Sequence, residues 1–232
     1  IAAAFLTMTP EREADVDFVS PQGRFVDEIL VAHKDAEPIE QLAQLSGRTV
    51  YVLKGSSYAW HLLELNEALE IVDLPPVNMI STDAQLLTED ILELVNAGII
   101  DYTVCDDFKA SLWSKALPDI RIYPDIRFSS GQSVGWVVRP NSPQLTAALD
   151  TFSNDVKKGS FLGNLLFNKY YASTQWIDNP LAQTERDKFK QIIHLFLRFG
   201  EQYQFDPLAL AAQGYQESRF DQSLTSHRGA VG

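Results

Sequence analysis

At 232 residues the chain can hold one large or two modest domains, and 45% hydrophobic residues with four Trp are enough for real cores. A net charge of −12 argues against a nucleic-acid partner, because a phosphate-binding surface must be basic. The single Cys105 cannot close an internal disulfide, and no apolar run reaches membrane-spanning length.

The acidity is uneven. Residues 1–180 hold 13 Lys and Arg against 25 Asp and Glu, whereas residues 181–232 hold six of each. That shift predicts a domain boundary near residue 180. The chain opens on Ile1 without Met, which reads as a fragment or a mature segment.

In chain order, Ile1 to Thr9 is expected to run from a loop or helix end into a short buried strand. Thr7-Met8-Thr9-Pro10-Glu11-Arg12 lies across its end. Arg12 offers a planar fork of donors that matches two carboxylate oxygens, with an ordinary surface pairing to a nearby acid as the alternative. Phe25 to Ala32 is β-branched and apolar and predicts a strand. Ile39 to Leu45 reads as a short helix and Arg48 to Leu53 as a strand. Gly55-Ser56-Ser57 then opens a helix over Ala59 to Leu69. The first N–H groups of such a helix are unpaired and suit an anion, although most turns of this kind only cap a helix.

Pro75-Pro76 breaks the chain. Val77 to Ser81 predicts a strand, Thr88 to Asn96 an amphipathic helix ending at Gly98, and Ile99 to Cys105 a further strand. This rhythm predicts an α/β lobe with a largely parallel sheet. Asp106-Asp107 follows at the carboxyl end of a strand, the edge that faces the ligand crevice in open α/β sheets. One of the two is expected to cap the helix Phe108 to Lys115, and Asp106 to bind. Ile120 to Phe128 and Val134 to Arg139 read as two strands. Asn141-Ser142-Pro143 is expected to cap a helix from Gln144 to Lys157, and Gly159 to Tyr171 reads as another.

Ser173 to Gln183 is polar and Pro-containing, as a linker would be. Glu185 to Tyr203 predicts a long amphipathic helix with Phe189, Ile192, Ile193, Phe196, Leu197 and Phe199 on its apolar side. Asp206-Pro207 is a helix start, since the carboxylate can cap and Pro fits the first helical position. Leu208, Ala211, Ala212 and Tyr215 make one apolar face, and Glu217 ends that run. A carboxylate there is placed for desolvation, which disfavours its charged form, with a solvated surface Glu as the alternative. No internal repeat or low-complexity segment occurs.

Gln216-Glu217-Ser218 and Ser226-His227-Arg228-Gly229-Ala230-Val231-Gly232 resemble the two halves of the soluble-lytic-transglycosylase (goose-lysozyme-like) signature. The resemblance implies that Glu217 is the catalytic acid/base, and Asp221 is read as structural. The earlier part of the chain resembles periplasmic solute-binding proteins of the polar-amino-acid type. That likeness implies that Thr7 and Arg12 hold a ligand's α-carboxylate, that Ser56 and Ser57 in the Gly55 turn meet it from the second lobe, and that Asp106 pairs with its α-amino group. Phe5 stands where the family usually has Gly and is expected to narrow or fill the ligand site.

The whole order resembles the membrane-bound lytic transglycosylases of the F type, with both ends missing. It implies an α/β two-lobed periplasmic binding protein fold of type II, followed by part of an α-helical lysozyme-like domain. The implied domains are a solute-binding domain at 1–176 with its second lobe at about 27–122, a linker at 177–183, and half of a transglycosylase domain at 184–232. The implied activity is cleavage of the β-1,4 bond between N-acetylmuramic acid and N-acetylglucosamine to leave 1,6-anhydromuramoyl ends. The implied partners are a peptidoglycan glycan strand and an amino-acid or wall-peptide (muropeptide) effector that regulates the enzyme, with no cofactor and no metal. The implied location is the periplasm, attached to the outer membrane. The segment alone is expected to be inactive on glycan. A pure solute receptor and a wall-binding scaffold are the other function classes in play.

Overall fold

The chain divides into two units, Ile1–Asp178 and Asn179–Gly232, in a computed structural model that describes residues 1–19, 25–83, 85–157, 159–172 and 183–229. The expected linker at 177–183 lies outside the described residues except for Gln183, the first residue of a helix.

The first unit is built on strands β1 (Ala2–Thr7), β2 (Asp17–Val19), β3 (Phe25–His33), β4 (Thr49–Val52), β5 (Asn78–Ser81), β6 (Tyr102–Asp106) and β7 (Ile120–Val138). They form one sheet in the order β1-β7-β3-β6-β4-β5, with β2 also paired to β7. The three strands that suggest a parallel lobe, β4, β5 and β6, do run parallel, but β3 is antiparallel to both β6 and β7, so the sheet is mixed. Helices α1 (Pro10–Asp15), α2 (Ser57–Ile71), α3 (Thr88–Asn96), α4 (Asp107–Trp113), α5 (Pro143–Asp155) and α6 (Phe161–Phe167) complete it.

Strands covered on both faces read as continuous apolar runs. All five residues of β6 are buried, as are Ile29, Leu30, Val31 and Ala32 of β3. Leu62 and Leu69 of α2 and Ile91, Leu92 and Val95 of α3 join them in one core. The second lobe is therefore organised around β3, β4 and β6.

β7 is a single strand of 19 residues where the sequence suggests two. Its first part pairs with β3, from Ile120 opposite His33 to Tyr123 opposite Leu30. Its last part pairs with β1 and β2 of the first lobe. Between the two, the partner of β3 jumps from Tyr123 at Leu30 to Arg127 at Ile29. This irregularity takes Pro124 out of the ladder, as its missing N–H requires. β3 and β7 are thus the two crossings between the lobes. β1 is a strand as expected, but only its last residue, Thr7, is buried.

The second unit is a helix pair, α7 (Gln183–Tyr203) and α8 (Pro207–Ser218). The Asp206 carboxylate accepts from the N–H groups of Leu208 and Ala209 at 2.7 and 3.1 Å, so it caps α8 as its sequence suggests. Gly214 interrupts an otherwise good helix sequence for a packing reason. A Cβ there would stand 3.2 Å from the Phe196 ring of α7. Phe220 fills the inside of the pair, against the rings of Phe189, Phe196 and Tyr215. α8 stops where Arg219 turns left-handed and donates its N–H to the Tyr215 carbonyl. Among the described residues no helix is long and apolar enough to cross a membrane.

Candidate functional site

Where the two lobes of the first unit meet, Thr7, Arg12, the Gly55 turn and Ser57 come together. Arg12 sits on α1, whose first turn is fixed by Thr9, the N-cap, and Pro10. Its guanidinium donates through Nη1 to the Thr7 carbonyl at 2.8 Å and through Nη2 to the Gly55 carbonyl at 3.2 Å. One cation therefore ties the first lobe to the turn of the second. A guanidinium has five N–H donors, so more remain for an anion. Gly55 has φ of 73°, a conformation that residues with a Cβ rarely adopt, and this sets up the turn.

The two serines after it divide the labour. Ser56 caps α2, accepting from the Ala59 N–H at 3.4 Å and donating to the Leu53 carbonyl at 2.6 Å. Ser57, buried, donates instead across the lobes to the Thr7 hydroxyl at 3.1 Å. Phe5 packs edge-on against Phe108 of α4 with ring centroids 5.6 Å apart. It makes an aromatic contact from the first lobe to the second.

Asp106 ends β6 and is buried, at 2% exposure. Neither it nor Asp107 caps α4 through its side chain. Asp107 Oδ1 instead accepts from the Asp27 N–H of β3 at 3.4 Å, which corrects the capping expectation. Asp106 Oδ2 lies 3.3 Å from Lys109 Nζ. Burial pushes the Asp106 carboxyl above its ordinary value, while the Lys109 charge and hydrogen bonds from Lys109 and Tyr58 pull it down. Burial also raises the Tyr58 phenol, and the Asp106 charge adds to that.

Sequence reasoning missed the neighbours of Asp106. Glu28 of β3 stands directly opposite it in the ladder and is fully buried. Its Oε2 lies 2.6 Å from His61 Nδ1 of α2. That hydrogen bond raises the His61 imidazole above its ordinary value, although burial opposes it. The signal in the sequence was a Glu inside an apolar strand run; a charge there is almost never fully buried unless paired. Among the described residues no cluster of His, Cys, Asp and Glu could hold a metal ion.

Glu217 lies in the other unit, at the end of α8. It is exposed, not sunk in the helix face, because α7 covers the Gly214 side. Gln213 Nε2 donates to its Oε1 at 3.2 Å. Both line an otherwise apolar groove of about 400 Å³ with Leu195, Phe196, Phe199, Leu210 and Gly214. Of the second signature half, Ser226 to Gly229 are described, and Ala230 to Gly232 lie outside the described residues.

No protein-family model matches the chain. Over its whole length it resembles proteins named membrane-bound lytic murein transglycosylase F. It is 33% identical to the one from Desulfosudis oleivorans over 240 aligned positions, which cover 99% of this chain and 49% of that protein. It is 28% identical to the one from Ectopseudomonas mendocina over 237 residues, all of this chain and 46% of that protein. The chain thus spans about half the length of the curated relatives it matches. Among solved structures, an ancestral arginine-binding protein bound to arginine superposes with a TM-score of 0.58 at 23% identity, covering 72% of this chain and 69% of that one. The substrate-binding protein of an amino-acid ABC transporter gives 0.59 at 20% identity, covering 74% and 70%. The first unit therefore has the type II periplasmic amino-acid-binding protein fold.

Proposed function

We propose, from the whole-length likeness to the membrane-bound lytic murein transglycosylase F proteins, that this chain joins an amino-acid- or wall-peptide-sensing module at 1–176 to part of a lytic transglycosylase domain at 184–232. The observation that carries the sensing half is the convergence of Thr7, Arg12, the Gly55 turn and Ser57 where the lobes meet, with Asp106 next to Tyr58, the residue after Ser57. Arg12 and the turn take the α-carboxylate of a zwitterion, Ser56 and Ser57 frame it, and Asp106 takes the ammonium. Structural neighbours include proteins bound to arginine, to glutamine and to lysine, and these amino acids are the first probes to use.

In the complete protein, Glu217 protonates the glycosidic oxygen between N-acetylmuramic acid and N-acetylglucosamine, since a sugar alkoxide leaves poorly. It then accepts the proton of the muramoyl 6-hydroxyl as the 1,6-anhydro ring closes. The groove of Leu195, Phe196, Phe199 and Leu210 beside Glu217 gives the sugar ring an apolar wall. Lobe closure on the effector regulates this step, provided the effector binds the two states unequally. The protein works in the periplasm, associated with the outer membrane.

The test is release of 1,6-anhydromuropeptides from purified peptidoglycan by the full-length protein and by its Glu217→Gln variant. Loss of about 10²-fold or more is expected for the variant. Unchanged release would remove Glu217 from the mechanism, and binding without any release would favour a non-catalytic receptor.

A further inference from the structure

Two carboxylate oxygens in the first unit are buried and have no hydrogen-bond partner within the described residues: Glu28 Oε1 and Asp106 Oδ1. Glu28 is 0% exposed and Asp106 2%. Their residues are direct partners across the β3–β6 ladder, so both side chains leave the same face of the sheet within reach of one small group. A buried carboxylate oxygen left unpaired is costly, and two facing ones repel. The group that relieves both is a compact cation with several N–H donors. A primary ammonium has three.

We propose that Glu28 completes a two-carboxylate seat for a ligand's ammonium group, its Oε1 acting together with Asp106 Oδ1, and that His61 gives up a proton when the seat is filled. This rests on reading 1–176 as an amino-acid-binding module and adds a residue and a proton to it.

The charges explain the proton. Asp106 already faces one permanent cation, Lys109 of α4. Glu28 faces His61, which balances it only while protonated. Glu64, on the same helix, also acts on His61, and Cys105 and Tyr58 lie beside Asp106. An incoming ammonium brings a further positive charge. The most labile proton in the cluster is that of His61, whose ring keeps 12% of its side-chain surface in solvent as an exit. One cation enters and one proton leaves for the buffer, so the net charge of the site is unchanged. Ligand affinity then rises as pH rises through the titration of His61.

The experiment is calorimetric titration of the whole chain with L-arginine, L-lysine and L-glutamine, in buffers of different ionisation heat at about pH 6 and about pH 8. Wild type, Glu28→Gln, His61→Gln and Asp106→Asn are compared. The expected result is proton release at the lower pH that fades at the higher one and disappears in His61→Gln, which still binds. Glu28→Gln, isosteric and able to keep a bond to His61, should weaken binding by about tenfold to a hundredfold. If Asp106→Asn loses affinity while Glu28→Gln binds like wild type without change in proton release, Glu28 and His61 are only a structural pair and the inference falls alone. If wild type binds none of the three, the amino-acid-binding reading falls with it.

Discussion

Asp106 and Glu217, the two acids on which the proposed functions turn, sit in opposite surroundings. Asp106 closes a central strand, is buried, and answers to Glu28, Lys109, Tyr58 and, through Glu28, His61. Glu217 ends a helix, accepts a hydrogen bond from Gln213 and lies on an apolar groove. The first unit has a large apolar core and buries two acids, Glu28 and Asp106, beside it. The second exposes Leu197, Phe199, Tyr203, Phe205 and Leu208 and buries only Ala211 and Ser218 of α8. A buried acid can be tuned by its neighbours, whereas an exposed one takes its chemistry from whatever comes to lie on it.

The largest expected effect separates the two units by packing. Leu62→Ala, at a fully buried site of α2, should cost about 2–5 kcal/mol in denaturant unfolding. Leu208→Ala, at an exposed site of α8, should stay within about 0.5 kcal/mol. Equal losses would erase the contrast. Asp206→Ala removes two capping bonds and should cost α8 about 0.5–2 kcal/mol, seen as helical signal melting earlier by circular dichroism. Phe5→Ala should lose about 0.5–1.5 kcal/mol from its edge-on contact with Phe108, beyond the area it uncovers. Because that contact crosses the lobes, small-angle scattering should report a wider first unit if Phe5 holds them together.

The last effect is one of pH. Burial, with the Asp90 charge adding to it, raises the Glu93 carboxyl from 4.5 to about 7. A raised carboxyl favours folding below its unfolded value, and that contribution is lost as pH rises through the folded value. Stability should therefore fall between about pH 4.5 and about pH 7, and Glu93→Gln should flatten that slope. A slope unchanged in the variant would place its origin elsewhere.

Much of this was legible in advance. Thr88 to Asn96 reads as a helix from its periodicity and is one, with matching ends. Arg12 and Thr7 are far from the Gly55 turn in sequence yet meet it, which only a resemblance could foresee. The mixed character of the sheet was hidden, because β3 looks the same whichever way its neighbours run. The capping expectation at Asp106-Asp107 failed because a long-range donor, the Asp27 N–H, competed for Asp107. Glu28 and His61 were missed because they meet only when β3 and α2 pack together. The exposure of Glu217 was open, since helix periodicity fixes a face but not what covers it.

The central claim is that the first unit is a zwitterion receptor whose acid and base stand apart at Asp106 and Arg12. Its most direct test is the dissociation constant for L-arginine, L-lysine and L-glutamine of the wild-type chain, Arg12→Ala and Asp106→Asn. Saturable binding of at least one of them, lost in both variants while both remain folded, is the predicted result. Binding that survives both substitutions, or none in the wild type, would contradict it.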